Sequence, residues 1–107
     1  MTNINPQSEL ALARAAVPAV QWGISVGGSV RSTLTGMPFA PTNLDFTAVL
    51  CWLLSQGALI NECAVRVYPL PASMCVPEVF PHDNTPASLA AAVHRAAIRF
   101  IEARTER

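Results

Sequence analysis

His82 and Asp83 are adjacent in a polar stretch, Pro81-His82-Asp83-Asn84, that leads into an apolar helical repeat. A loop histidine can act as a base and an aspartate can orient it, but geometry must come first, and no nucleophile is paired with them. Solvated turn chemistry is the plainer reading of such a pair. Arg95 and Arg99 lie one helical turn apart and form the second candidate. Each guanidinium is a planar fork suited to phosphate or carboxylate, so the pair could bind an acidic partner. The plain alternative is a solvated charged face, with Glu102 pairing either arginine at a few tenths of a kcal/mol.

Other chemistries find little. Cys51, Cys63 and Cys75 are evenly spaced but include no Cys-x-x-Cys, and neither they nor His82 and His94 have metal-ligand spacing. Such cysteines read as reduced thiols of a cytoplasmic protein. Cys63 and Cys75 could approach each other across a hairpin. His94 sits at the edge of an apolar stripe and reads as a packed or surface residue. Gly23, Gly27 and Gly28 lack the lysine and the strand–glycine–helix context of a phosphate loop. Asp45, Glu62, Glu78 and Glu102 are not spaced as an acid–base pair. No enzyme is expected, and neither a metal nor a cofactor.

Trp22, Trp52, Phe39 and Phe46 could line a pocket, although aromatics more often fill cores. Phe39 is the exception to expect, because it stands in a Pro/Gly loop. The expected ligand or partner contacts are therefore Arg95, Arg99, Phe39, Asp45 and Trp22.

These residues need elements to position them. Thr85 is an N-cap and Pro86 suits the first helical position, opening a helix over 86–103. Leu89, Val93, Ala96, Ala97, Phe100 and Ile101 form its buried stripe, with Arg95, Arg99 and Glu102 opposite. Asn43 is expected to cap a second helix with Asp45 in its first turn, burying Phe46, Val49, Leu50, Leu53 and Leu54, and ending at Gly57. Residues 1–7 read as a flexible polar start, and Ser8-Glu9 opens a first helix. Pro18 either ends that helix or opens another. Residues 18–26 are read as helix, with an alternating strand from Val20 to Val26 as the alternative.

Ser29–Leu34 reads as a short strand, and Thr35–Asn43 as loop. Ala58–Tyr68 reads as one strand and Met74–Phe80 as its hairpin partner. Pro77 marks the latter as an edge strand, since proline cannot donate to the ladder. The fold class is α+β: a small antiparallel sheet, with a hairpin near 60–80, packed by two or three helices in one compact domain over 1–107.

Composition narrows the function further. The chain has 107 residues, half of them apolar, yet charged residues make up 13% against a typical ~25%. An oligomer, most simply a dimer, or a partner-covered surface is expected. Seven arginines balance seven acids, and there is no lysine. That balance argues against general nucleic-acid binding. No apolar run reaches the ~18 residues of a membrane span, and no signal peptide is visible.

Three segments, in order, resemble a known family. Phe39-Ala40-Pro41-Thr42-Asn43-Leu44-Asp45-Phe46 is similar to its aromatic, Pro-Ser/Thr, Asp-aromatic segment. Gly57-Ala58-Leu59-Ile60-Asn61-Glu62 resembles its Gly-Pro-Leu/Ile-Ile-Glu segment. Thr85-Pro86 with Leu89 to Arg95 resembles its closing Thr-Pro-Leu-x-Ala-Ala-x-Arg helix, and Ala19 to Ser25 echoes its opening Trp-bearing helix. The family is the phage NinX-like proteins, small products of phage and prophage accessory regions. The first segment is a residue longer here, and Thr85-Pro86 stands about one turn further from the closing motif. The resemblance carries over to Asp45, Glu62, Thr85 and Arg95. It implies a phage or prophage accessory protein; together with the small size, the low charge and the lack of a catalytic constellation, the expectation is a protein that binds and inhibits a host or bacterial-defence component in the host cytoplasm. A nucleotide-sequestering binder, using arginine forks and aromatics, is the alternative from another class. A homo-oligomeric virion component is a third, though no extended arm favours it.

Overall fold

The C-terminal helix is the hub of the fold because two other helices and a sheet pack around it. The computed structural model describes residues 5–68 and 77–105. The elements run α1 (Pro6–Ala16), β1 (Trp22–Ile24), β2 (Val30–Ser32), α2 (Phe46–Ser55), β3 (Leu59–Ile60), β4 (Ala64–Val67), β5 (Glu78–Pro81) and α3 (Pro86–Thr105). The architecture is α+β, with the strands divided between a two-stranded sheet, β1-β2, and a three-stranded sheet, β3-β4-β5, both antiparallel.

α3 starts as its sequence dictates. The Thr85 hydroxyl accepts the Ser88 N–H at 3.3 Å, and the Thr85 carbonyl accepts the Leu89 N–H. Its buried surface is wider than one stripe. Ala90, Ala92 and Ile98 are buried besides Val93, Ala96, Ala97 and Phe100, because α1, α2, β4 and β5 all contact it. The run of alanines lets those neighbours approach closely, and packing of this kind makes single-methylene changes felt.

α1 begins earlier than the polar start implies. Asn5 Oδ1 accepts the Gln7 N–H at 2.9 Å and Pro6 occupies the first turn. Residues 5–7 are thus cap and first turn, while 1–4 lie outside the described residues. The helix stops at Ala16 because Pro18 disfavours helical backbone at Val17.

Residues 22–24 correct the helical reading of 18–26. They form β1, paired Trp22↔Ser32, Gly23↔Arg31 and Ile24↔Val30. Gly28 supplies the positive φ, 84°, that the connecting turn needs. Gly23 stands in a tight spot: a Cβ there would lie 3.0 Å from the Thr33 methyl, which would have to give way by a few tenths of an ångström. The far edge of β2 is closed by residues 37–39. The Ser32 N–H donates to Met37 O at 2.8 Å and the Phe39 N–H to Val30 O at 2.9 Å.

α2 starts at Phe46, not after Asn43. Asp45 takes the N-cap position but makes no side-chain cap bond. Instead its Oδ2 accepts the Ala40 N–H at 2.8 Å, while its own N–H donates to Ala40 O at 2.9 Å. Val49 and Leu53 are fully buried as expected, whereas Leu54, expected in the same buried stripe, is exposed. Gly57, with φ 93°, ends the helix in the left-handed region.

The strand expected over 58–68 is a hairpin. Asn61 Oδ1 accepts both the Cys63 and Ala64 N–H groups, at 2.8 and 2.9 Å, and this turn separates β3 from β4. Register runs Leu59↔Arg66 and Ile60↔Val65, then Val65↔Phe80 and Arg66↔Val79. β5 is an edge strand, as Pro77 implies. Of the segment expected as strand, 74–76 and the connection from 69 lie outside the described residues.

Candidate functional site

The His82–Asp83 pair is fully engaged in holding the entry to α3. The Asn84 N–H donates to His82 Nδ1 at 3.0 Å. A backbone N–H can only donate, so Nδ1 carries no proton, and the neutral ring is protonated at Nε2. That Nε2–H then donates to the Asn61 carbonyl at 2.8 Å. The imidazole ties the β3–β4 turn to the α3 entry with both nitrogens bound by backbone. Asp83 Oδ1 accepts the Thr85 hydroxyl at 2.6 Å and the Thr85 N–H at 3.2 Å. These bonds favour the carboxylate and hold the Asp83 carboxyl below the usual range, the Thr85 hydroxyl contributing most. Turn chemistry is the role of both residues.

His94 is a packed residue of α3. Its Nε2 lies 2.9 Å from Glu9 Oε1 on α1, with both side chains largely buried. Beside Glu9 on α1, the Ser8 hydroxyl donates at 3.3 Å to Oε2 of Glu102, two turns beyond His94 on α3. These two contacts fix how α1 lies on α3.

The arginine fork does not form as expected. Arg95 is exposed, and among the described residues it has no ion-pair partner. Arg99 is turned towards β5, where Nε lies 2.9 and 3.0 Å from the two oxygens of Glu78. Residues four apart on a helix differ by about 40° in direction. On a helix flanked by a sheet, that is enough to send one arginine outward and the other to a strand.

Phe39 corrects the expectation of an exposed loop aromatic. It is 8% exposed and meets Trp22 edge-to-face, with centroids 5.4 Å apart and planes at 66°. Trp22 is buried too, and its indole N–H donates to Val17 O at 3.1 Å. Trp52 packs edge-to-face on Phe100 at 5.7 Å. Of the positions carried over from the family resemblance, Asp45 and Thr85 stand at helix starts, Glu62 in the exposed β3–β4 turn and Arg95 on the outside of α3. Cys51 and Cys63 are free and exposed, and Cys75 lies outside the described residues. Among the described residues, no group of three or more His, Cys, Asp or Glu could hold a metal ion, and no helix is long and apolar enough to cross a membrane.

Two surfaces stand out that the sequence did not single out. The first is the face of the three-stranded sheet away from α3. Paired residues of antiparallel strands share a face, so Leu59, Arg66 and Val79 form one row across β3, β4 and β5. Leu59 is 57% and Val79 52% exposed, and Arg66 and Tyr68 are exposed beside them. The second is a groove of about 310 Å³ over Trp22, walled by Val20, Leu34, Met37 and Leu44. Large apolar residues inside a Pro/Gly loop were the available signal for the groove. No sequence signal marks the sheet row, because it exists only once the register is known. No family model matches this chain, no curated protein matches its sequence, and no solved structure matches its fold.

Proposed function

We propose that this chain is a non-enzymatic accessory protein of a phage or prophage that binds, and so inhibits, a bacterial host or defence protein. The observation that carries the binding role is the Leu59–Arg66–Val79 row with Tyr68 beside it. Arginine and tyrosine are the residue types enriched at protein interfaces and at their energetic centres. Arg66 has no ion-pair partner among the described residues, so the fitting partner presents a carboxylate within an apolar patch. The phage assignment rests on the ordered resemblance of three segments. The engagement of His82 and Asp83 in backbone and cap bonds supports a role without catalysis.

The nucleotide-sequestering alternative needs Arg95 and Arg99 to act together as a fork. Glu78 holds Arg99 in a different direction, so nothing specific favours that reading.

The test is capture from bacterial lysate with two baits, the native chain and Arg66→Glu. Arg66 is exposed, so the variant keeps its fold, which circular dichroism checks. A stoichiometric host protein held by the native bait and lost by the folded variant is the expected result. Identical capture by both baits overturns the sheet-face assignment, and no stoichiometric protein on either bait overturns the binding role.

A further inference from the structure

The groove over Trp22 has apolar walls and one charge. Among the described residues that line it, Asp45 alone is ionisable, and Val20, Leu34, Met37 and Leu44 share the wall with it. We propose that this groove docks a segment of another protein in which a bulky apolar side chain stands beside a lysine or arginine.

Asp45 is already in position to receive that cation. Its Oδ2 accepts the Ala40 N–H, and its own N–H donates to the Ala40 carbonyl. No cap bond draws the side chain into α2. Oδ1 has no partner among the described residues. A carboxylate held in this way meets a cation with little further ordering to offset. No arginine lines the groove, and the chain has no lysine, so the groove does not supply the cation itself.

The apolar residues say what kind of body carries the cation. Leu34 is 80%, Leu44 76% and Met37 54% exposed. Leu34 and Met37 are held out by a built turn. The Leu34 and Thr35 N–H groups both donate to Ser32 Oγ, the Gly36 N–H donates to Ser32 O, and the Ser32 N–H donates to Met37 O. A small ligand buries most of itself in a concave pocket. Confined to about 310 Å³, it would leave most of these rim side chains in water. A protein segment that crosses the rim covers them. A purely apolar segment would cover the Asp45 carboxylate without answering it, at the cost of an unpaired buried charge. A basic residue beside the apolar one satisfies both walls. This surface shares no residue with the Leu59–Arg66–Val79 row and asks for the opposite charge, so the two assignments are independent.

The probe is a random peptide library displayed on phage and selected against the full chain. Enriched peptides are expected to pair a large apolar residue with lysine or arginine. Their affinities are then measured on the native chain, on Leu34→Ser/Leu44→Ser and on Asp45→Asn, which keeps an oxygen for the Ala40 N–H. Circular dichroism checks each fold. The double variant should bind about tenfold more weakly. Asp45→Asn should lose about two- to fivefold, and that difference should close at high salt. If Asp45→Asn does not fold, the basic preference and the double variant, changed only at exposed positions, still decide. No enriched peptide, or enrichment without basic residues, overturns the proposal. Equal affinity for the native chain and the double variant overturns this face. Sedimentation equilibrium covers the remaining occupant: a native dimer that Leu34→Ser/Leu44→Ser dissociates gives the groove to a second copy and overturns the proposal.

Discussion

Replacing Phe39 with alanine separates two descriptions of the 33–45 loop, and the expected loss can be worked from the packing. As a loop aromatic in a Pro/Gly segment, Phe39 would cost little to truncate, since exposed substitutions stay within about ±0.5 kcal/mol. In the structure its ring is buried against Trp22 at 5.4 Å. Truncating a buried phenylalanine typically costs about 3–5 kcal/mol, of which the edge-to-face pair contributes about 0.5–1.5. One side of the ring borders a shallow depression lined by Pro6, Glu9 and Val30. Partial collapse there should keep the loss near the lower end, about 3 kcal/mol. At about 4–8 °C per kcal/mol for a chain of this size, Tm falls by about 12–24 °C. Urea unfolding followed by far-ultraviolet circular dichroism measures it, with Leu34→Ala as the control within the same loop. Leu34 is exposed, so that control should move by less than about 0.5 kcal/mol. A Phe39→Ala loss below about 1 kcal/mol, with an unchanged urea slope, would refute the closure of β2 by residues 37–39.

The arginines of α3 should differ. Arg95→Ala should leave stability within about 0.5 kcal/mol, whereas a double-mutant cycle on Arg99 and Glu78 should give about 0.5 kcal/mol, halved or more by high salt, because both side chains are over a third exposed. Equal losses for the two alanine variants would contradict the assignment of Arg99 to Glu78. Gly57→Ala meets no neighbour within 4 Å, so its cost is backbone strain at φ 93°, about 1–2 kcal/mol. Thermal melts showing no loss would place the α2 terminus differently. Asp83 has its folded pKa depressed by Thr85, so its contribution is full above the ordinary carboxylate range and fades as pH falls below that range towards the depressed folded value. Tm of the native chain should exceed that of Asp83→Ala at neutral pH, and the gap should narrow below pH of about 4. A gap constant into strong acid would mean that the carboxylate is not the group at work.

Local chemistry made α3 legible. Thr85 and Pro86 mark its start, and apolar residues recur at its spacing. The glycine that ends α2 was equally readable, since Gly57 alone supplies the needed φ. Pro18 misled because it can stop one helix or start another, and what decides 22–24 is pairing with 30–32. The β3–β4 turn did leave a local mark, Asn61, but the apolar residues on both sides made one strand the simpler pattern. The site was harder for a tertiary reason. Arg95 and Arg99 share a face on an isolated helix, and only the position of Glu78 parts them. Phe39 has its ring covered by a tryptophan 17 positions away in sequence. The Leu59–Arg66–Val79 row depends on two registers at once, so no single segment encodes it.

The scarcity of charge and the exposed apolar surfaces have one physical origin. Acids that would ordinarily dilute a surface are committed inward or to neighbouring backbone. Glu9 meets His94, Glu78 meets Arg99, Glu102 meets Ser8, Asp83 meets Thr85 and Asp45 meets Ala40. The first three join α1 or β5 to α3. Few charges then remain to space Leu34, Leu44, Leu59 and Val79 apart in solvent. A neutral surface with such residues favours association. Selection against indiscriminate association would act on where those residues stand. They are divided between the groove over Trp22 and a sheet row centred on one arginine. In the row Arg66 stands exposed between two apolar residues, so its complement is a carboxylate from elsewhere.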